Sequence, residues 1–412
     1  MKSRQLMVVV TALCIVAVTG AWAQKIQGAA GDLYRKAQTE VAAGRLEQAK
    51  GILEQALKQA QAQPDAVIIA GTLAQVWAAL GKYDEAKAFL TVQGKKSGFS
   101  GYIVELARLI MRSEPNGAVE AADLLRAVTQ REQANVEAWL EYGRALARAG
   151  RYEDAMKALE RITRSLAPKD LRAHYALAEV YMMRGDFKRG RNILIDALKI
   201  DPDAPETHCW IGKAFERDRV LPGADANAVM HYEDAYRLDK ASAMYLGHVL
   251  FNTVMGYNHA AANGQAKRLQ KHSGDSVALW YDGLKKEQEG DVAGAIKLLQ
   301  SAVAANPNNL FASFALAHLY CGSPTPGFGI IRGVRLESWR YLPHRNPRQA
   351  ASELARIKLL DPTFPHVSSL ESLVTGQLAA GYPSSSSSEP DPESVQRYQK
   401  MIGYFRQLQM TR

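Results

Sequence analysis

One short phrase returns four times along this chain: "LGKYDEAKAFL" (80–90), "AGRYEDAMKALERI" (149–162), "RGDFKRGRNIL" (184–194) and "EGDVAGAIKLL" (289–299). Each places Gly before an aromatic or apolar residue, a small residue three further on, and then an apolar run. A phrase that recurs in this way requires a repeated structural unit. Upstream of Gly150, Trp139, Tyr142, Gly143 and Leu146 recur every three to four residues and define one helix face. Downstream, Ala155, Leu159 and Ile162 do the same. Gly150 supplies the left-handed turn between the two helices. Tyr152 opens the second helix, small Ala155 lets the pair approach closely, and Pro168 ends it.

This pattern resembles the tetratricopeptide repeat, a helix–turn–helix of about 34 residues. Trp139, Gly143, Gly150, Tyr152, Ala155, Leu159 and Pro168 carry the resemblance. Further units lie around Ala37/Gly44/Ala49/Leu53/Ala56, Trp77/Gly81/Tyr83/Ala86, Tyr181/Gly185/Phe187/Leu194/Ala197/Pro202 and Gly283/Gly290/Ala295/Leu299/Ala302/Pro307. One unit departs at Gly190, where the family favours Ala. Degenerate units fill the gaps: one follows Gly98, one has Gly212, Phe215, Ala228 and Tyr232 with a lengthened turn, and a weaker one covers 243–270. A last first helix at 311–320 finds its second helix only at "RQAASELARIKLLDP". The resemblance covers about nine units. It implies an all-α, right-handed superhelical solenoid over residues 24–380.

Family resemblance implies that the first helices line a concave groove that binds proteins or peptides. Carried over by register, the groove positions are Arg144, Arg148, Tyr175, Glu179, Met183, Lys213, Arg217, Tyr245, His248, Asn252, Trp280, Leu284, Gln288, Phe314 and His318. Cations dominate over the single acid Glu179, so an acidic or carboxylate-ended segment is the expected ligand chemistry.

The regularity breaks at about 322–347, in "GSPTPGFGIIRGVRLESWRYLPHRNP". Gly and Pro exclude a helix there, while aromatic and Arg residues suit a binding loop. Arg332, Arg335, Trp339, Arg340 and Tyr341 are the candidates; the competing reading is a lid over the solenoid. Residues 381–394, "YPSSSSSEPDPES" within them, read as a linker. Residues 395–412 read as an amphipathic basic helix on Val395, Tyr398, Ile402, Phe405 and Leu408. It is suited to docking on its own solenoid, on a partner or on an anionic membrane.

The chain opens with Lys2 and Arg4, an apolar run from Leu6 to Val18, and Ala21-Trp22-Ala23. That is a secretory leader with expected cleavage after Ala23, and it places the mature protein in the periplasm or cell envelope. An uncleaved leader would be a membrane anchor. Only Cys209 and Cys321 follow the leader, too few for a disulfide scaffold, so packing must stabilise the fold. The formal net charge of +9 falls by two when Lys2 and Arg4 leave. The moderate basic bias permits an acidic partner without identifying nucleic acid, and secretion argues against nucleic acid.

No His-Glu-x-x-His, no paired Cys-x-x-Cys and no clustered His/Asp set at ligand spacing is read, so neither metal nor cofactor is expected. His318 and Cys321 share a helix face, but a packed thiol is the expectation there, not a nucleophile. The sequence therefore reads as a non-enzymatic envelope adaptor. The alternatives are a self-associating scaffold, or an accessory subunit of an envelope enzyme or secretion complex with its site near 322–347.

Overall fold

The computed structural model describes residues 26–379 except 43–44, 61, 115, 219–220, 257–258, 307, 328–329, 332–333 and 336–340. The leader (1–23), the linker (381–394) and the last helix (395–412) lie outside the described residues. Nineteen α-helices occur among the described residues, and they fall into nine sequential pairs with one helix left over. The pairs are α1 (Gly28–Ala42) with α2 (Leu46–Gln59), α3 (Gln63–Ala79) with α4 (Tyr83–Ser97), and α5 (Gly101–Ser113) with α6 (Gly117–Arg131). Next come α7 (Val136–Arg148) with α8 (Tyr152–Arg161), α9 (Leu171–Met183) with α10 (Phe187–Ile200), and α11 (Pro205–Arg217) with α12 (Ala224–Leu238). Then follow α13 (Ala243–Met255) with α14 (His259–Ala266), α15 (Ser276–Gln288) with α16 (Val292–Ala305), and α17 (Leu310–Tyr320) with α18 (Pro347–Leu360). The unpaired helix is α19 (Val367–Ala379). The fold is an all-α solenoid of helix–turn–helix repeats, nine as expected.

Local chemistry sets these boundaries. Gly150 adopts φ 76°, so the turn between α7 and α8 uses the left-handed region that side chains avoid. Side chains of Asn135, Asp186, Asp275, Asp291, Asn309 and Asn346 accept a backbone N–H in the first turn of α7, α10, α15, α16, α17 and α18. Each satisfies a donor the helix cannot. Ala155, Leu159 and Ile162 are fully buried, as their spacing requires. The closest approach in this pair, however, is at Gly143: a Cβ there would meet Leu159 Cγ at 2.6 Å. Gly190, the departure from the family pattern, packs beside Ala178 O, which a Cβ would meet at 3.2 Å.

The weak repeat at 243–272 is irregular where its sequence is weakest. Helix α14 is eight residues long and continues as a 3-10 turn, Lys267–His272. Within 322–347, Ile330–Ile331 and Val334–Arg335 form a short antiparallel ladder.

The chain forms two compact units, which divide inside α9 after Ala176. In unit 1, one core cluster joins α1 to α3 through Ile26, Tyr34, Leu53, Ile69 and Leu73. In unit 2, a larger cluster runs from Cys209 to Val374 and includes Tyr232, Phe251, Trp280, Phe311 and Phe314.

Candidate functional site

The odd-numbered helices are the first helices of each repeat, and their faces differ between the units. In unit 1 the face is ionic. Arg108 on α5 pairs with Glu105 on its own helix and with Glu137 and Glu141 (3.2 Å) on α7. Arg144 donates to Glu141 at 2.9 Å. Arg112 donates to Gln75 of α3 at 3.0 Å, and Arg148 to the Met111 carbonyl at 3.4 Å. Arg172, at the start of α9, binds Glu137 at 3.0 Å and Asp170 at 2.7 Å. Burial pushes the Glu141 carboxyl up, but Arg108 and Arg144 overcome this and hold it at about 2. The expected groove residues Arg144 and Arg148 thus sit in a network, not on a bare surface. The sequence reading passed over Glu137 and Glu141, although they lie one helical turn apart beside those arginines. Tyr175, expected to be exposed, is buried.

In unit 2 the first-helix face is aromatic, and the chain itself covers it. The segment Asp361–His366, between α18 and α19, lies across α11, α13 and α17. Phe364 packs 5.5 Å from Phe251, 6.3 Å from Phe311 and 5.9 Å from Phe314. Arg217 Nε donates to the Thr363 carbonyl at 2.7 Å, and its Nη2 pairs with Asp361. Burial pushes Asp361 up, but Arg217, followed by Lys213, holds it below the usual carboxylate range. His366 takes φ 64°, which turns the segment into α19.

In unit 2 six expected groove residues therefore need correction: Leu284, fully buried in the core, and the five that follow. Arg217 holds the chain's own acid. Trp280 and Phe314 are each 1% exposed and belong to the core. His318 is buried against Phe314 at 4.7 Å. His248 stacks on Tyr232 at 4.6 Å and meets Phe311 edge-on at 4.9 Å. Arg217, Phe314 and His318 meet the returning segment, which helical register does not foresee, whereas Trp280 and His248 are packed by Phe251, Phe311 and Tyr232 of neighbouring helices. Burial, followed by nearby charge, lowers both histidines, His318 to about 3, so both are neutral at neutral pH.

Of the other expected positions, Asn252 donates to Glu216 at 2.6 Å, beside Tyr232, which donates to the same carboxyl group at 2.9 Å. Lys213 sits 4.7 Å over the Trp210 ring. Tyr245 and Glu179 are half-buried.

In the insert, Tyr341 is buried and donates to Glu287 at 3.3 Å; the same carboxyl group accepts the Thr325 N–H at 2.8 Å. Tyr341 thus anchors the insert and is not exposed for a partner. Arg335 contributes backbone to the ladder, while Arg332, Trp339 and Arg340 lie outside the described residues.

Both cysteines are buried. Burial pushes the Cys209 thiol up to about 11 and the Cys321 thiol to about 12, the reverse of an activated nucleophile.

A stack of helix pairs with a lined first-helix face is the architecture of a helical-repeat interaction scaffold. Residues 34–96 and 118–167 match one tetratricopeptide-repeat model, and 157–205 match a second. Residues 34–96 and 118–205 are thus tetratricopeptide repeats, which supports a protein–protein interaction scaffold. No curated protein matches it. Similar solved structures include a tetratricopeptide repeat protein from Parabacteroides merdae, at 16% identity over 66% of this chain and 98% of that one, TM-score 0.41. A thermophilic one from Thermus thermophilus has 17% identity over 54% and 100%, TM-score 0.34. YrrB, described as having an unusual peptide-binding site, has 14% identity over 46% and 96%, TM-score 0.30.

Proposed function

We propose that the protein is a non-catalytic adaptor of the cell envelope that binds an acidic segment of a partner protein on the first-helix face of unit 1. The observation that carries this reading is the arginine run on α5, α7 and the start of α9. Arg108, Arg112, Arg144, Arg148 and Arg172 share that face with Glu105, Glu137 and Glu141. Glu141 fixes the Arg144 guanidinium, and Glu137 with Asp170 fixes that of Arg172. A pre-positioned fork loses less entropy when a carboxylate arrives. The Arg144 and Arg172 side chains remain 39% and 44% exposed. The matching face of unit 2 is taken up by Asp361–His366, so unit 1 offers the open cationic positions. The envelope assignment rests on the leader sequence.

The test is a capture experiment from the envelope fraction of the native host. The bait is the chain from Gln24, compared with its Arg144→Ala/Arg148→Ala variant. A protein captured by the first and lost with the second is expected. Equal capture by both would overturn the acidic-segment reading. The mass of the native protein should correspond to a chain that begins at Gln24, and a retained leader would overturn a released, soluble form.

A further inference from the structure

Helix α11 carries His208, and α12 carries His231 and Asp234 one turn apart. The turn that joins these helices is the lengthened one, so His208 lies 23 positions before His231 and the three residues form no contiguous ligand motif in the sequence. The fold brings them together. His208 Nδ1 lies 3.2 Å from His231 Nδ1 and 3.9 Å from Asp234 Oδ2. One ligand atom from each residue lies within 4.8 Å of the other two.

We propose that His208, His231 and Asp234 bind one divalent transition-metal ion of the zinc class, which clips α11 to α12. Zinc–nitrogen bonds of about 2.05 Å in a tetrahedron put neighbouring donors about 3.3 Å apart. The two Nδ1 atoms already have that spacing. The carboxylate oxygen, 3.9 Å from His208 Nδ1, must move inward to reach the same edge length.

Its orientation suits this. Arg237 takes Oδ1 at 3.0 Å, which leaves Oδ2 on the side of the imidazoles. Phe215 stacks on His231 at 5.7 Å with rings 10° apart, and fixes the ring plane. Arg191 lies 4.9 Å from the centre of that phenyl ring and is paired with Asp218, so its charge is compensated. Two imidazoles and one carboxylate suit zinc, cobalt or nickel better than calcium or magnesium. Three protein ligands leave a fourth position for water or for a side chain of a partner.

The experiment uses the full chain after Ala23 without a histidine tag, stripped with chelator and titrated with zinc by calorimetry. Cobalt absorption reports the coordination geometry. One zinc per chain is expected, with a higher melting temperature and a tetrahedral cobalt spectrum. His208→Ala and His231→Gln should each weaken binding at least about tenfold, while His272→Ala leaves it unchanged. Asp234→Asn, at a half-exposed position, keeps the test valid if a histidine variant fails to fold, and it should also weaken binding. Absence of zinc binding at ten equivalents would overturn the proposal. So would wild-type affinity in all three ligand variants.

Discussion

Arg217 and Asp361, 144 positions apart, form a buried ion pair in which Arg217 also donates to the Thr363 carbonyl at 2.7 Å. Removal of one partner strands the other charge. Arg217→Ala should cost roughly 3–5 kcal/mol of unit 2 stability. The paired change Arg217→Met/Asp361→Leu should cost clearly less than the single substitution, because neither charge is left alone. Denaturant titration of all three variants gives the coupling. Additive losses would show that the pair is not coupled.

Phe364 is the apolar half of the same contact. Phe364→Ala should destabilise unit 2 by about 3–5 kcal/mol. It should also uncover Phe251, Phe311 and Phe314, and so raise the binding of an apolar dye to the folded protein. An unchanged dye signal in a variant with native circular dichroism would mean that the segment does not cover that face.

Gly143 and Gly51 are both helical, yet opposite outcomes are expected. Gly143→Ala drives a methyl group into Leu159 and should cost about 1–3 kcal/mol. Gly51, on α2, has no atom within 4 Å of a built Cβ, so Gly51→Ala should stabilise by about 0.5–1 kcal/mol. Thermal melts of the two variants check the sign directly.

Glu287 gives a pH signature. Burial pushes its carboxyl up to about 7, against hydrogen bonds from Thr325 and Tyr341. The folded state therefore holds the proton more tightly than the unfolded chain, whose group titrates near 4.5. The contribution to stability is full below about pH 4.5 and is lost as pH rises through 7. Its size is on the order of 3 kcal/mol. Glu287→Gln should flatten this slope between pH 5 and 8. A wild-type slope that persists unchanged in the variant would assign it to another group.

Much of the fold was legible in the sequence because repeats are written in short-range spacing. Gly150, Ala155, Leu159 and Ile162 specify a turn and a buried stripe without reference to any distant residue. The degenerate repeat at 243–272 was equally legible as a weak one, and its second helix is the short one. The sites were less so. The return of Asp361–His366 onto α11, α13 and α17, and the meeting of His208 with His231, depend on chain separations that periodicity does not encode. Glu137 and Glu141 are a different case: their spacing was visible, and their pairing with Arg108 and Arg144 follows from one turn of helix.

The Asp361–His366 segment also has a consequence for competition. Joined directly to the end of α18, it competes for its face at an effective concentration on the order of millimolar. A free peptide with the same intrinsic affinity would have to exceed that concentration merely to share the face. Unit 2 thus screens out casual ligands, and only a sequence with far more contacts, or one that first loosens α19, gains entry there.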